Sequence, residues 1–232
     1  MKEESPSAAK VRIAKNGPYL VEGSLPLAKE IIGTDAHGQS VKWVEGKQYP
    51  LQEAYHLCRC GQSGNKPYCD GTHAKVHFDG TETASREPYL AQATVIEGPT
   101  MSLTDAESLC AFGRFCDPHG RVWNLVGRTD HPEARTHFVR ETCDCPAGRL
   151  VAWDNATRQP VEPMFKPSIR LIEDPAKNCS GPIWLRGGVQ VVGTDGFEYE
   201  VRNRVTLCRC GESQNKPFCD GTHAGIGFQD EG

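Results

Sequence analysis

Hydrophobic residues in this chain fall in short runs rich in β-branched and aromatic side chains, at positions 19–21, 41–44, 89–96, 169–172, 183–185, 189–192 and 199–205. Runs of that length and composition predict β-strands. Between them, 24 glycines and 16 prolines supply the turns, so the pattern predicts a mainly β (α+β) protein with a few short helices. Two helices are expected, both within residues 87–180. Thr104-Asp105-Ala106-Glu107 has the S/T-x-x-E form of a capping box and should open a helix reaching about Cys116. A second should begin near Asp130, carry Pro132 in its first turn and end before Cys143.

The chain also repeats itself, and the repeat sets its organisation. A shift of 150 residues lays 57–78 over 207–228, with 16 of 22 positions identical. Four potential metal ligands recur in register: Cys58, Cys60, Cys69 and His73 in the first copy, Cys208, Cys210, Cys219 and His223 in the second. Upstream the likeness is looser. Gly17-Pro18 is echoed by Gly181-Pro182, and Ile31-Ile32-Gly33-Thr34-Asp35 by Val191-Val192-Gly193-Thr194-Asp195. From the Gly-Pro to the first cysteine the earlier copy spans 41 residues and the later one 27, so the first carries 14 more, which a surface loop tolerates at little entropic cost. The organisation expected is a first repeat over 1–86, an intervening strand and two-helix segment over 87–180, and a second repeat over 181–232.

The ligand spacing is chemically sensible. Pro67 and Pro217 restrict the loop before the third cysteine, and Asp70 and Asp220 can cap the turn after it. If that turn is helical, Cys69 and His73 share a face, as do Cys219 and His223. Three cysteines and a histidine could hold structural zinc as well as iron and sulfide. Zinc sites usually place two to four residues between paired cysteines, whereas here only Arg59 or Arg209 intervenes, and spacing alone leaves both metals open.

Composition narrows the setting. Eleven cysteines, an odd number in a chain of 232, fit a disulfide framework poorly and suit metal binding in a reducing compartment. No run approaches the ~20 apolar residues that cross a bilayer. Met1-Lys2-Glu3-Glu4-Ser5-Pro6 is acidic where a leader would be basic, so no membrane association and a cytoplasmic location are expected. A net charge of -4 without a basic cluster gives no sign of nucleic-acid binding.

The full pattern, C-x-C-x2-S-x3-P-x-C-D-G-T-H, resembles that of the CDGSH iron-sulfur domains, the family of the mitoNEET-like proteins, and it occurs twice. Thr72 and Thr222 stand where the family name has serine. The resemblance implies two [2Fe-2S] clusters. Cys58 and Cys60 would hold one iron and Cys69 and His73 the other, with Cys208, Cys210, Cys219 and His223 repeating the arrangement. Relatives of the mitoNEET type are homodimers in which each subunit contributes strands to a shared β-rich cap and one cluster to a cluster-binding lobe. With both copies in one chain, an intramolecular pseudo-dimer that acts as a monomer is expected. The implied function is electron transfer or cluster transfer, to an unidentified redox partner or an apo acceptor protein. The alternatives are an oxidoreductase whose clusters serve a reaction site elsewhere and a structural zinc protein. The chain lacks G-x-G-x-x-G, Walker, G-x-S-x-G and zincin motifs, so no catalytic residues are assigned and it is not read as an enzyme.

Replacing one thiolate by a neutral imidazole removes negative charge and should raise the reduction potential, an effect that Arg59, Arg209, Lys66 and Lys216 would reinforce if they lie close. Protons compete with iron for the ligating nitrogen, so acid should release the cluster. His73→Cys or His223→Cys is expected to slow that release, read as the decay of visible absorbance near about pH 6. Equal decay in parent and variants would contradict the assignment. Cys110, Cys116, Cys143, Cys145 and Cys179 lie outside the repeats. Cys145-Pro146 resembles the end of some ferredoxin motifs, but Cys110 and Cys116 would point ~120° apart on one regular helix, so buried structural thiols are expected instead. His37, His56, His77, His119, His131 and His137 are expected to be ordinary surface or hydrogen-bonded residues.

Overall fold

The computed structural model describes residues 9–230, and the acidic Met1 to Pro6 stretch lies outside them. In chain order the strands and helices are β1 (Lys10–Ile13), β2 (Tyr19–Glu22), β3 (Leu27–Thr34), β4 (Ser40–Gln48), β5 (Ala54–Leu57), α1 (Thr72–Lys75), α2 (Tyr89–Gln92), β6 (Thr94–Glu97), β7 (Met101–Asp105), α3 (Val122–Leu125), α4 (Pro132–Cys143), β8 (Leu150–Asp154), β9 (Pro160–Val161), β10 (Ser168–Asp174), β11 (Cys179–Arg186), β12 (Gln190–Val192), β13 (Arg204–Leu207) and α5 (Thr222–Gly225). They form three sheets, ordered β12-β1-β2-β5, β13-β11-β10-β3-β4 and β6-β7-β8-β9. No helix among the described residues is long and apolar enough to cross a membrane.

The first two sheets are related copies that have traded a strand. In one, Ile13 pairs with Tyr19 and Tyr19 with Leu57; in the other, Leu171 pairs with Ile183 and Ile183 with Leu207. Each then takes its parallel strand from the opposite repeat: β12 adds to β1 through Val11 and Val191, and β3 adds to β10 through Ile169 and Leu27. Parallel neighbours cannot be joined by a tight hairpin, and exchange between the copies satisfies that constraint. The pseudo-dimer is therefore built inside one chain. Leu27 and Val191 each stand ten residues beyond their Gly-Pro and occupy equivalent positions. The shared Gly-Thr-Asp turn comes four residues later in the first copy because β3 is longer than β12. The inner faces, with Val11, Tyr19, Leu57, Ile169, Ile183 and Leu207, make one core shared by both copies.

The third sheet packs on α3 and α4 around Met101, Leu103, Phe138 and Ala152 as a separate core. Here the expected helix from Thr104 does not form. Residues 101–105 pair with β6 and β8, and the Thr104 hydroxyl, the expected cap, accepts from the Trp153 ring N–H and bonds the Tyr89 hydroxyl, while Asp105 accepts from Arg149 and the Trp123 ring N–H. A single 3-10 turn, Glu107–Leu109, follows, and 110–114 are loop. Tertiary partners for Thr104 and Asp105 outweigh a local capping signal worth about 1 kcal/mol. The helix expected near Asp130 does form, as α4. Residues 89–92 are a helical turn where a strand was expected, because the Tyr89 hydroxyl is held at Thr104 and Arg149 and its backbone N–H donates to Glu200. Within 199–205 the strand starts only at Arg204; Arg202 and Asn203 are tied to the carbonyls of Ala147 and Pro163. The strand β10, upstream of residue 181, lies in the second repeat's sheet.

Two histidines outside the repeats pack together. The His119 and His137 rings stack at 3.7 Å, and His119 Nδ1 lies 3.1 Å from Glu141, whose side chain is buried. Burial, and then the charge of Asp117, pushes the Glu141 carboxyl from 4.5 up to about 8. The folded chain thus keeps a proton that the unfolded chain has lost. That contribution to stability is complete below 4.5 and disappears as pH rises toward 8. Glu141→Gln should therefore melt higher than the parent, with the gap widening between about pH 6.5 and about pH 8.5. A gap that narrows with rising pH would refute the assignment.

Candidate metal centres

Each repeated motif is a loop tied to the end of a strand. The Cys58 and Cys208 N–H groups donate to the carbonyls of Pro67 and Pro217, and Cys69 and Cys219 donate to His56 and Thr206, which brings the first and third cysteines of each set to one place. The Lys66-Pro67 and Lys216-Pro217 bonds are cis. Ser63 and Ser213 donate to the carbonyls of Tyr68 and Phe218 and accept from Asn65 and Asn215. Asp70 accepts from the Thr72 and Gly64 N–H groups, and Asp220 from those of Thr222 and Gln214, so each carboxylate joins the two halves of its loop. These bonds hold Asp70 well below the usual carboxylate range, led by that from Thr72.

All eight sequence-derived ligands are gathered, in two sets of two pairs. The sulfurs of Cys58 and Cys60 stand 3.8 Å apart and those of Cys208 and Cys210 3.7 Å. His73 Nδ1 is 3.3 Å from the Cys69 sulfur, and His223 Nδ1 is 3.4 Å from that of Cys219. The helix expected between cysteine and histidine is only partial: α1 and α5 begin at the threonine, after a left-handed Gly71 or Gly221. Among the described residues no three His, Cys, Asp or Glu side chains converge on a single ion. The donor set suits a group with two separate attachment points, one taking two thiolates and the other a thiolate and an imidazole.

The sequence profile of the family described as iron-binding zinc finger, CDGSH type, matches residues 16–74 and again residues 180–224. Two segments of the chain are thus similar to CDGSH-type iron-binding domains. Curated proteins and solved structures yield no match. Both matched segments begin one residue before a Gly-Pro and end one residue after His73 or His223, so the profile spans the residues that the paired geometry brings together.

The two CDGSH sites lie back to back. Gly61 and Gly211, both at positive φ, press on the backbones of Cys210 and Cys60, where a Cβ would come within 2.4 and 2.6 Å of the carbonyl oxygens. Tyr19, fully buried in the first copy, donates its hydroxyl to the carbonyl of Cys208 in the second at 2.7 Å. Neither contact had a signal within its own repeat, because each is made across the interface between copies.

The environments differ. Cys69 and His73 are partly exposed, whereas Cys219 and His223 are 3% and 4% exposed. The loop after β7 and the segment after α4 cause this: Cys110 and Phe112 lie against Gly221, and Ala111, Cys145 and Ala147 pack around Cys219. Burial, then the nearby Arg209, lowers His223 to about 4, and burial pushes the Cys219 thiol up. Arg59 and Arg209, between the paired cysteines, are both buried instead of solvated. Arg209 is ion-paired to Glu173 at 3.0 Å and to Asp230. In the first copy Gly80 stands where Asp230 does. Arg59 there donates to the carbonyls of Gly80 and Ala14, and lies over the rings of Tyr19 and Phe78, with no carboxylate at ion-pair distance among the described residues.

Proposed function

We propose that the chain holds two [2Fe-2S] clusters, one on Cys58, Cys60, Cys69 and His73 and one on Cys208, Cys210, Cys219 and His223. We read it as a single-chain carrier that passes electrons or whole clusters to a protein partner. The observation that carries this reading is the division of each ligand set into two pairs, Cys-Cys near 3.8 Å and Cys-His near 3.3 Å. Each cluster, when bound, supplies a centre that takes up and returns one electron.

The protein's own residues set the terms of that exchange. The cysteines of each set give three negative charges that the buried arginine partly offsets, and in the first set no carboxylate among the described residues opposes Arg59. His73, at the more open site, is the ligand a partner can approach. At the second site Cys219 and Gly221 sit beneath the loop that follows β7, and His223 is buried, which shields the site from water and from direct contact. Electrons or clusters therefore leave through the first site, and the second serves as the protected member of the pair.

The test is iron and acid-labile sulfide quantitation on anaerobically purified protein together with its visible spectrum, then timed transfer to an apo-ferredoxin. A coloured protein whose first-site signal decays as the acceptor gains its own supports the reading. Colourless protein with zinc in both sites would end it. Light scattering that gave an obligate dimer at micromolar concentration would contradict single-chain action.

A further inference from the structure

Of the five cysteines outside the repeats, three come together. Cys110, Cys116 and Cys145 line one narrow, partly open pocket of about 30 Å³. Cys116 lies close enough to both other thiols, and Arg149 close enough to Cys110, for their charges to be felt. The remaining two cysteines are elsewhere: Cys143 donates to the carbonyl of Val161, and Cys179 is buried in β11. The 120° divergence that a helix would impose on Cys110 and Cys116 does not arise, because their segment is a loop.

The loop has a second property that points to an occupant. None of the backbone N–H groups of residues 111–116 donates to any acceptor among the described residues, although Ala111 and Phe115 are buried. Buried N–H groups are rarely left unpaired. Phe112 and Arg114 both hold positive φ, at 56° and 62°, a conformation costly for side chains of their size. Successive N–H groups in alternating right- and left-handed backbone form concavities that receive anions, iron-sulfur clusters among them.

We propose that Cys110, Cys116 and Cys145 bind a third iron-sulfur cluster, with the 111–116 N–H groups hydrogen-bonding its sulfides. The three thiols do not converge on one ion, which favours a group with several irons over a single zinc or copper. The site adjoins Cys219, which packs against Cys145 and feels the charge of Cys110. The second CDGSH site would thus face another cluster, not merely a cover of apolar side chains.

The experiment compares the full-length parent with Cys116→Ser/Cys145→Ser, both purified anaerobically. Twin sites alone account for about four irons per chain, so the parent should contain at least about six and the variant should fall back to about four. Far-UV circular dichroism and the remaining visible spectrum show that the variant is folded. The parent is also alkylated under native conditions: Cys110, Cys116 and Cys145 should resist until a chelator and denaturant are added. Equal iron in parent and variant, zinc in place of the extra iron, or alkylation of the three thiols in the intact parent would each overturn the proposal. Failure of the twin-site reading has a different signature, since the variant would then contain no iron at all.

Discussion

Gly61→Ala is expected to destabilise the protein by roughly 3 kcal/mol or more and to deplete iron from both sites at once. Gly61 has φ +74°, and an added Cβ would sit 2.4 Å from the carbonyl oxygen of Cys210, a backbone atom that cannot rotate away. The only relief is to separate the two cluster loops, which moves Cys60 and Cys210 together. Gly211→Ala should act alike through Cys60, where the approach is 2.6 Å. Gly38→Ala is the control: φ is +77° but the space around it is open, so only the left-handed penalty of about 1–2 kcal/mol applies. Denaturant midpoints and iron content of the three variants decide the matter. Loss at only one site, or a Gly61 effect no larger than that of Gly38, would show that the loops do not bear on each other.

The second large effect concerns reduction potential. The pairing of Arg209 with Glu173 and Asp230 cancels its charge, while Arg59 keeps its own beside the first ligand set. A buried cation favours the more negative, reduced state, and greater solvent contact acts in the same direction. The first site should therefore reduce at the higher potential. Asp230→Asn should raise the second site's midpoint by on the order of tens of millivolts, and Gly80→Asp should lower the first site's by a similar amount. An Asp at position 80 would meet the movable end of Arg59, with a Cβ 2.5 Å from its Nη1 before adjustment. Potentiometric titrations followed by visible absorbance measure both. Two midpoints that coincide in the parent and ignore both substitutions would dismiss the electrostatic account.

Much of this site was legible in the chain because its signals are local. Two cysteines one residue apart, a proline before the third and an aspartate after it act within some sixteen residues, and the loops that result bring the donors into pairs. The strands beside Gly17-Pro18 and Gly181-Pro182 were likewise readable from short apolar runs bounded by turn residues. The helix expected from Thr104 failed for the opposite reason. Its capping box is real as a pattern, but β6, β8, Arg149 and Trp123 offer residues 101–105 more than an isolated helix could. The objection to a joint role for Cys110 and Cys116 rested on that helix and falls with it.

By itself the sequence determined the two repeated Cys3His sets, their spacing and the mainly β character, since each depends on residues close along the chain. Only the tertiary structure decided that the copies exchange β3 and β12, that Gly61 and Gly211 lock the loops together, and that one site is open and the other covered. It also decided that Arg59 lacks the carboxylates that neutralise Arg209. The physical reason is that burial and Coulomb interaction depend on distance in space, and the residues responsible lie between 21 and 189 positions away in the chain.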